Sequence, residues 1–210
     1  MGRARARSRS AGLFFPWIAL VSTVILLGFA CGDSASAPAS NLTGEQKARL
    51  SDLAESLERE GNLRPTLPAY IPQGLDPFPT VLSKFESRVR LVFNSAGVHD
   101  NTTSPAPVEL AVDEELDPDA PPRGCRADPP LEKKELVELG IECVKLDGQV
   151  ADLEVIDQGE GVVDYDLTFD VRDINTFMVL TWQAGTRPSK KEQATMRRET
   201  LRVAESMIPD

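Results

Sequence analysis

VVDYDLTFDVRDINTFMVLTW, residues Val162 to Trp182, decides the fold class of this 210-residue chain. Val163, Tyr165, Leu167 and Phe169 alternate with Asp164, Asp166, Thr168 and Asp170, and a side-chain period of two marks a half-buried strand. Phe177 to Trp182 continues in β-favouring residues, so the stretch reads as two paired strands. Just upstream, Ile141 to Leu146 and Gln149 to Ile156 flank Asp147-Gly148. That dipeptide accepts positive φ at both positions, which makes it the strongest hairpin signal in the chain.

Towards the N-terminus the strand pattern continues less cleanly. Val108, Leu110 and Val112 alternate with Glu109, Ala111 and Asp113 as a further half-buried strand, after which the acids and prolines of Asp113 to Gly124 predict a break. Val81, Phe85, Val89, Leu91 and Phe93 predict one strand bent near Ser87. Before it, RPTLPAYIPQGLDPFP (Arg64 to Pro79) carries prolines at 65, 68, 72, 77 and 79. Prolines at that density rule out a helix or a central strand and predict an extended segment with Tyr70 and Ile71 turned inward.

Helix signals stand at both ends of these strands. Thr43 with Gln46 forms a capping box ahead of a stripe at Leu50, Leu53, Ala54 and Leu57, which predicts an amphipathic helix over 44–62. Ser189 with Glu192 opens a second, striped by Met196, Thr200, Leu201, Ala204, Met207 and Ile208. Leu131 to Leu139 suits one or two helical turns. The expected fold is α+β: a curved antiparallel sheet covered by a C-terminal helix, within a single domain over 63–210, with the N-terminal amphipathic helix after a signal segment.

The N-terminus sets the expected compartment. Arg3, Arg5, Arg7 and Arg9 precede 20 residues without charge, Ala11 to Ala30, the pattern of a secretory signal over 1–30. The run ends in LLGFACGD, Leu26 to Asp33, which resembles a bacterial lipobox. Small Gly28 and Ala30 flank Phe29, where the usual pattern prefers Leu three residues before the cysteine and a small residue two before. Cleavage and acylation at Cys31 would hold the protein to the extracytoplasmic face of the cell membrane, with 31–43 as a flexible tether. The alternative is a single-pass signal anchor, for which the run is long enough. The formal net charge is −10, and with the four leader arginines removed it is −14, because no acid precedes Asp33. So acidic a surface disfavours nucleic acid and anionic lipid headgroups and favours solubility, cationic partners or divalent ions, with plain solvation as the other reading.

Two cysteines remain, Cys125 and Cys143. An even pair in an exported chain predicts a disulfide, with two free buried thiols as the other reading. His99, the only histidine, lies in a loop rich in Asn and Thr and has no neighbour suited to metal or base work. Asp164, Asp166 and Asp170 share one strand face with Asp173 close behind. Their spacing of roughly 7 Å spreads them too far for a compact calcium site, so a solvated face is expected. No acid is paired with a nucleophile, and no catalytic residue, metal site or cofactor is assigned. Trp182, Met196 and Met207 are candidates for lining a hydrophobic cavity between sheet and helix; the other reading makes them core.

The C-terminal residues carry a resemblance. Leu180-Thr181-Trp182, then Ser189 opening a helix, then Ala204-Glu205-Ser206 resemble the ending of bacterial extracytoplasmic domains of unknown function found in envelope lipoproteins and anti-sigma-type regulators. Tyr70, Ile71, Pro72 and Gly74 are similar to the Leu-Pro-Glu-Gly opening of the same domains, with Ile71 and Gln73 departing from it. The resemblance spans about residues 68–208. It implies a curved sheet carrying a helix, related in shape to lipoprotein-carrier-like half-barrels, and carries over no catalytic residue. The resulting expectation is a non-enzymatic, membrane-anchored binding domain that engages an envelope protein or peptide through its sheet edge or acidic face. The alternative is a carrier or sensor of a lipid-like ligand held between sheet and helix.

Overall fold

The computed structural model describes residues 40–61, 63–85, 87–97, 105–116, 124–172 and 174–209. The chain is α+β. Seven strands form one sheet: β1 (Thr80–Phe85), β2 (Arg88–Asn94), β3 (Ala106–Glu115), β4 (Ile141–Leu146), β5 (Gln149–Gly159), β6 (Val162–Val171) and β7 (Ile174–Gln183). Their order is β1-β2-β3-β7-β6-β5-β4 and every pairing is antiparallel. Two meanders, β1 to β3 and β4 to β7, therefore meet along the β3–β7 seam. Helix α1 (Gly44–Gly61) precedes the sheet, α2 (Lys133–Glu138) leads into β4, and α3 (Lys190–Glu205) closes the chain.

Period two in the sequence becomes two distinct faces. Leu91, Val112, Met178, Leu167 and Leu153 are register partners across five strands, and none is more than 1% exposed. The next row, Phe93, Leu110, Leu180 and Tyr165, is buried as well. Leu50 and Leu57 of α1 and Met196, Val203 and Ala204 of α3 join these side chains in one core. Ser189 caps α3: its hydroxyl accepts from the Glu192 N–H while the Glu192 carboxylate accepts from the Ser189 N–H, satisfying two donors the helix leaves free. Thr43 and Gln46 make the same exchange ahead of α1.

Two turns show the local chemistry. Asp147 (φ 43°) and Gly148 (φ 84°) both take positive φ between β4 and β5, the conformation that matches the twist of the flanking strands. Gly161 follows β5, and a Cβ there would collide with the Ala184 carbonyl oxygen; the backbones approach this closely because the Ala184 N–H donates to Gly161 O at 2.8 Å.

The turn at Ser87 corrects a sequence expectation: residues 81–94 form the β1–β2 hairpin, not one bent strand. A short turn makes Lys84 the partner of Val89, which reverses the side-chain parity. A bulge between Val81 and Ser83 then reverses it again, so that Val81 pairs with Leu91. Two reversals imitate one uninterrupted alternation. The predicted break at Asp113 is likewise too early, since β3 runs through Asp113 and Glu114 to Glu115.

The proline-rich segment, residues 63–79, is a strap over the core face. It makes no ladder beyond an isolated bridge from Leu75 to Ser95. Its donors are satisfied piecemeal by different elements. Ile71 N–H donates to Asn41 Oδ1 at 3.0 Å while Asn41 Nδ2 donates to Ile71 O at 2.6 Å. Tyr70 N–H donates to Ser206 Oγ at 3.1 Å, and Asp76 N–H to Asn94 O at 2.8 Å. Tyr70 and Ile71 are buried. The Tyr70 hydroxyl donates to Glu199 on α3, and the Arg202 guanidinium lies 3.9 Å above the Tyr70 ring.

Candidate functional site

The second face of the sheet carries the acids. Register places Asn94, Glu109, Thr181, Asp164 and Ile156 in one row and Val92, Ala111, Val179, Asp166 and Glu154 in the next. Asp164 and Asp166 on β6 and Glu154 on β5 thus lie close together, Glu109 stands two strands from Asp164 in the same row, and among the described residues none of the four has an ion-pair partner. Asp164 Oδ2 accepts from Gln158 Nε2 at 2.8 Å, while Asp164 Oδ1 and Asp166 Oδ1 are buried without a hydrogen-bond partner. Burial, followed by the charges of Asp164 and Glu154, pushes the Asp166 carboxyl up to about 6.

At the β4–β5 end of this face the acids are neutralised. A short 3-10 turn, Gly124–Arg126, packs there, and the structure joins Cys125 and Cys143 in a disulfide with a Cα–Cα distance of 5.6 Å. The bridge brings Arg126 onto the sheet, where its side chain, 8% exposed, pairs with Asp152 at 3.5 Å and Asp170 at 2.8 Å and donates to Asn175 at 3.3 Å. Cys125 N–H donates to Asp152 Oδ1 at 2.7 Å. Gly124 (φ 61°) faces the Asp152 carboxylate so closely that a Cβ would sit 2.6 Å from its oxygen. On β2 and β3, Arg88 makes a two-point ion pair with Asp113 at 2.8 and 2.6 Å. Asp170, grouped with Asp164 and Asp166 by sequence, is therefore engaged by Arg126. Among the described residues no three His, Cys, Asp or Glu side chains are placed to hold a metal ion.

Glu114 has the opposite placement. It sits on the core face between Val89 and Thr176, 1% exposed. Both carboxylate oxygens accept from the Thr66 N–H of the strap, at 3.1 and 2.9 Å. Burial pushes its carboxyl up to about 7, against the lowering pull of the Thr66 hydrogen bonds. Sequence reasoning missed Glu114, because an acid in a run of acids after Val112 reads as loop. It also missed Arg126, whose role depends on the disulfide; the signal available was the cysteine beside it.

The remaining sequence-predicted residues are distributed as follows. Trp182, Met196 and Met207 are 4%, 0% and 2% exposed, all within the core, and the Trp182 indole N–H has no hydrogen-bond partner among the described residues. Cys31, the signal segment, His99 and Asp173 lie outside the described residues. No helix among the described residues is long and apolar enough to cross a membrane.

No protein-family model matches the chain, and no curated protein matches it. Among solved structures, the crystal structure of TTHA0849 from Thermus thermophilus aligns with 81% of this chain and 85% of its own, at 11% identity and a TM-score of 0.23.

Proposed function

We propose that this chain is a non-enzymatic binding domain, anchored to the extracytoplasmic face of the cell membrane through Cys31, whose acidic sheet face receives a cationic segment of an envelope protein or peptide. The observation that carries the reading is the cluster of Glu109, Glu154, Asp164 and Asp166, with two carboxylate oxygens left without a hydrogen-bond partner. A sheet side with no binding role has no need to set Asp164 and Glu154 beside the Asp166 carboxyl, which burial and then their charges push up, whereas a cationic partner turns that repulsion into attraction. The curved shape and the lipoprotein kinship implied by the C-terminal motif belong to the same proposal. The carrier reading needs unfilled space between sheet and α3. Burial of Trp182, Met196 and Met207 supports packing there instead.

Titration calorimetry with an octalysine peptide at moderate salt tests the face. The full-length protein binds, and the pair Asp164→Asn with Asp166→Asn weakens binding at least tenfold. Equal binding by that variant sinks the acidic-face assignment. Intact-mass analysis of the membrane-extracted protein tests the anchor: a mature chain starting at an acylated Cys31 is expected, and an unacylated full-length mass in both the native chain and Cys31→Ser sinks it.

A further inference from the structure

The strap is joined to the sheet by no strand ladder, and the buried side chain that holds its N-terminal half by the backbone is a carboxyl, Glu114. The geometry points to Glu114 as a proton-controlled latch: with its carboxyl neutral the strap at residues 63–72 stays seated, and ionisation lets it lift so that water reaches the carboxylate. Thr66 lies between Pro65 and Leu67, so the N–H on its N-terminal side is missing, and Thr66's own N–H is committed to Glu114. Beyond Thr66 the strap backbone is held by the neutral Ser206 and Asn41, and the Tyr70 side chain is held by the Glu199 carboxylate and the Arg202 guanidinium of α3, contacts that Glu114→Gln leaves in place.

The environment of Glu114 admits no substitute for water. Val89 on β2 and Thr176 on β7 are its direct neighbours in register, and Val112 shares its face on β3. The other charged groups of these strands, Arg88 and Arg90 on β2 and Glu109, Asp113 and Glu115 on β3, lie on the opposite face, where Arg88 is occupied by Asp113. On the strap side, Lys47 of α1, Arg64 and Arg172 border a groove of about 280 Å³ that Thr66 also lines. Arg64 is turned to Glu55 and Glu58, and Lys47, Arg64 and Arg172 are all exposed. None of the three pairs with the buried carboxylate.

The direction of the effect follows from linkage. The seated carboxyl takes its proton up to about pH 7, whereas a lifted strap returns Glu114 to the ordinary carboxylate range, so the lifted form gains as pH rises from that range and the gain levels off above about 7. Lifting residues 63–72 widens the groove between α1 and the strap, whose walls include Leu42, Leu50, Ala54 and Leu67. The latch thereby couples external pH to exposure of an apolar surface.

Hydrogen exchange of the full-length protein, read by mass spectrometry from pH 5 to 8 and corrected for intrinsic rates, tests this. The strap peptide should open about tenfold more for each pH unit between 5 and 7 and then level off, while a β6–β7 peptide stays better protected at every pH. In Glu114→Gln the strap profile should be flat. In Ser206→Ala the strap should open more at every pH with the slope retained. A flat profile in the native protein overturns the latch, as does an unchanged slope in Glu114→Gln. Strap and sheet peptides exchanging in step would overturn it too, since that is global unfolding; this readout needs no variant to fold.

Discussion

The two faces of the sheet are built from the same alternating strands, yet they solve the problem of polar groups in opposite ways. On the core face, polarity is nearly eliminated. Apolar side chains run across five strands in register, and the acid buried among them, Glu114, is held by a backbone donor from outside the sheet. On the acidic face, charge is retained and partly cancelled: Arg88 pairs with Asp113 and Arg126 is shared between Asp152 and Asp170, while among the described residues Asp164, Asp166, Glu109 and Glu154 have no ion-pair partner. The lesson lies in where the departures fall. Each face contains carboxyls whose proton affinity is raised, and the causes differ: burial for Glu114, burial with like charge for Asp166. The first reports on the cover of the core and the second on a surface prepared for something cationic.

The sharpest way to break this comparison is to cut adjacent residues of one strand. Trp182→Ala on the core face should lose about 3–5 kcal/mol, whereas Thr181→Ala on the acidic face should stay within about 0.5 kcal/mol, both read by urea unfolding. Comparable losses would show that the acidic face is also packed. Next in size, replacing Cys125 and Cys143 together by Ser should cost about 3 kcal/mol, the loop-closure value for their separation. A smaller loss would mean that Arg126 holds its place without the bridge. The smallest effect is the most diagnostic of charge. Asp166→Asn should leave the unfolding free energy unchanged at about pH 3, below the ordinary aspartate range, and raise it slightly at pH 8, by about 0.3 kcal/mol, since solvent at this partly exposed carboxyl screens most of the relief. The sign follows because Asp166 carries its charge beside Asp164 and Glu154 only above about pH 6; a loss at pH 8 would reverse the reading of that cluster.

Much of the sheet was legible because its rules are local. Alternation at Val163 to Phe169, the Asp147-Gly148 turn and the Ser189 capping box each depend on residues within a few positions of one another. What escaped the sequence was either long-range or self-cancelling. Glu114 is tolerable on the core face only because Thr66, 48 residues away, supplies its hydrogen bond, and no local pattern announces that. The β1–β2 turn was hidden because a bulge restored the parity the turn had reversed. The acidic face was visible as a row of aspartates. Its division into neutralised and uncancelled carboxylates was not, since that depends on where a disulfide sets down Arg126.

The proline strap has one more consequence. Pro65, Pro68, Pro72, Pro77 and Pro79 have no N–H to offer, and the N–H groups of Thr66, Ala69, Tyr70, Ile71, Leu75, Asp76 and Phe78 already have acceptors within the fold. A strand in this position would have added a row of free backbone groups, an invitation to neighbouring molecules to pair and aggregate. The strap closes one side of the core with backbone whose N–H groups are mostly absent, at proline, or already bonded within the fold.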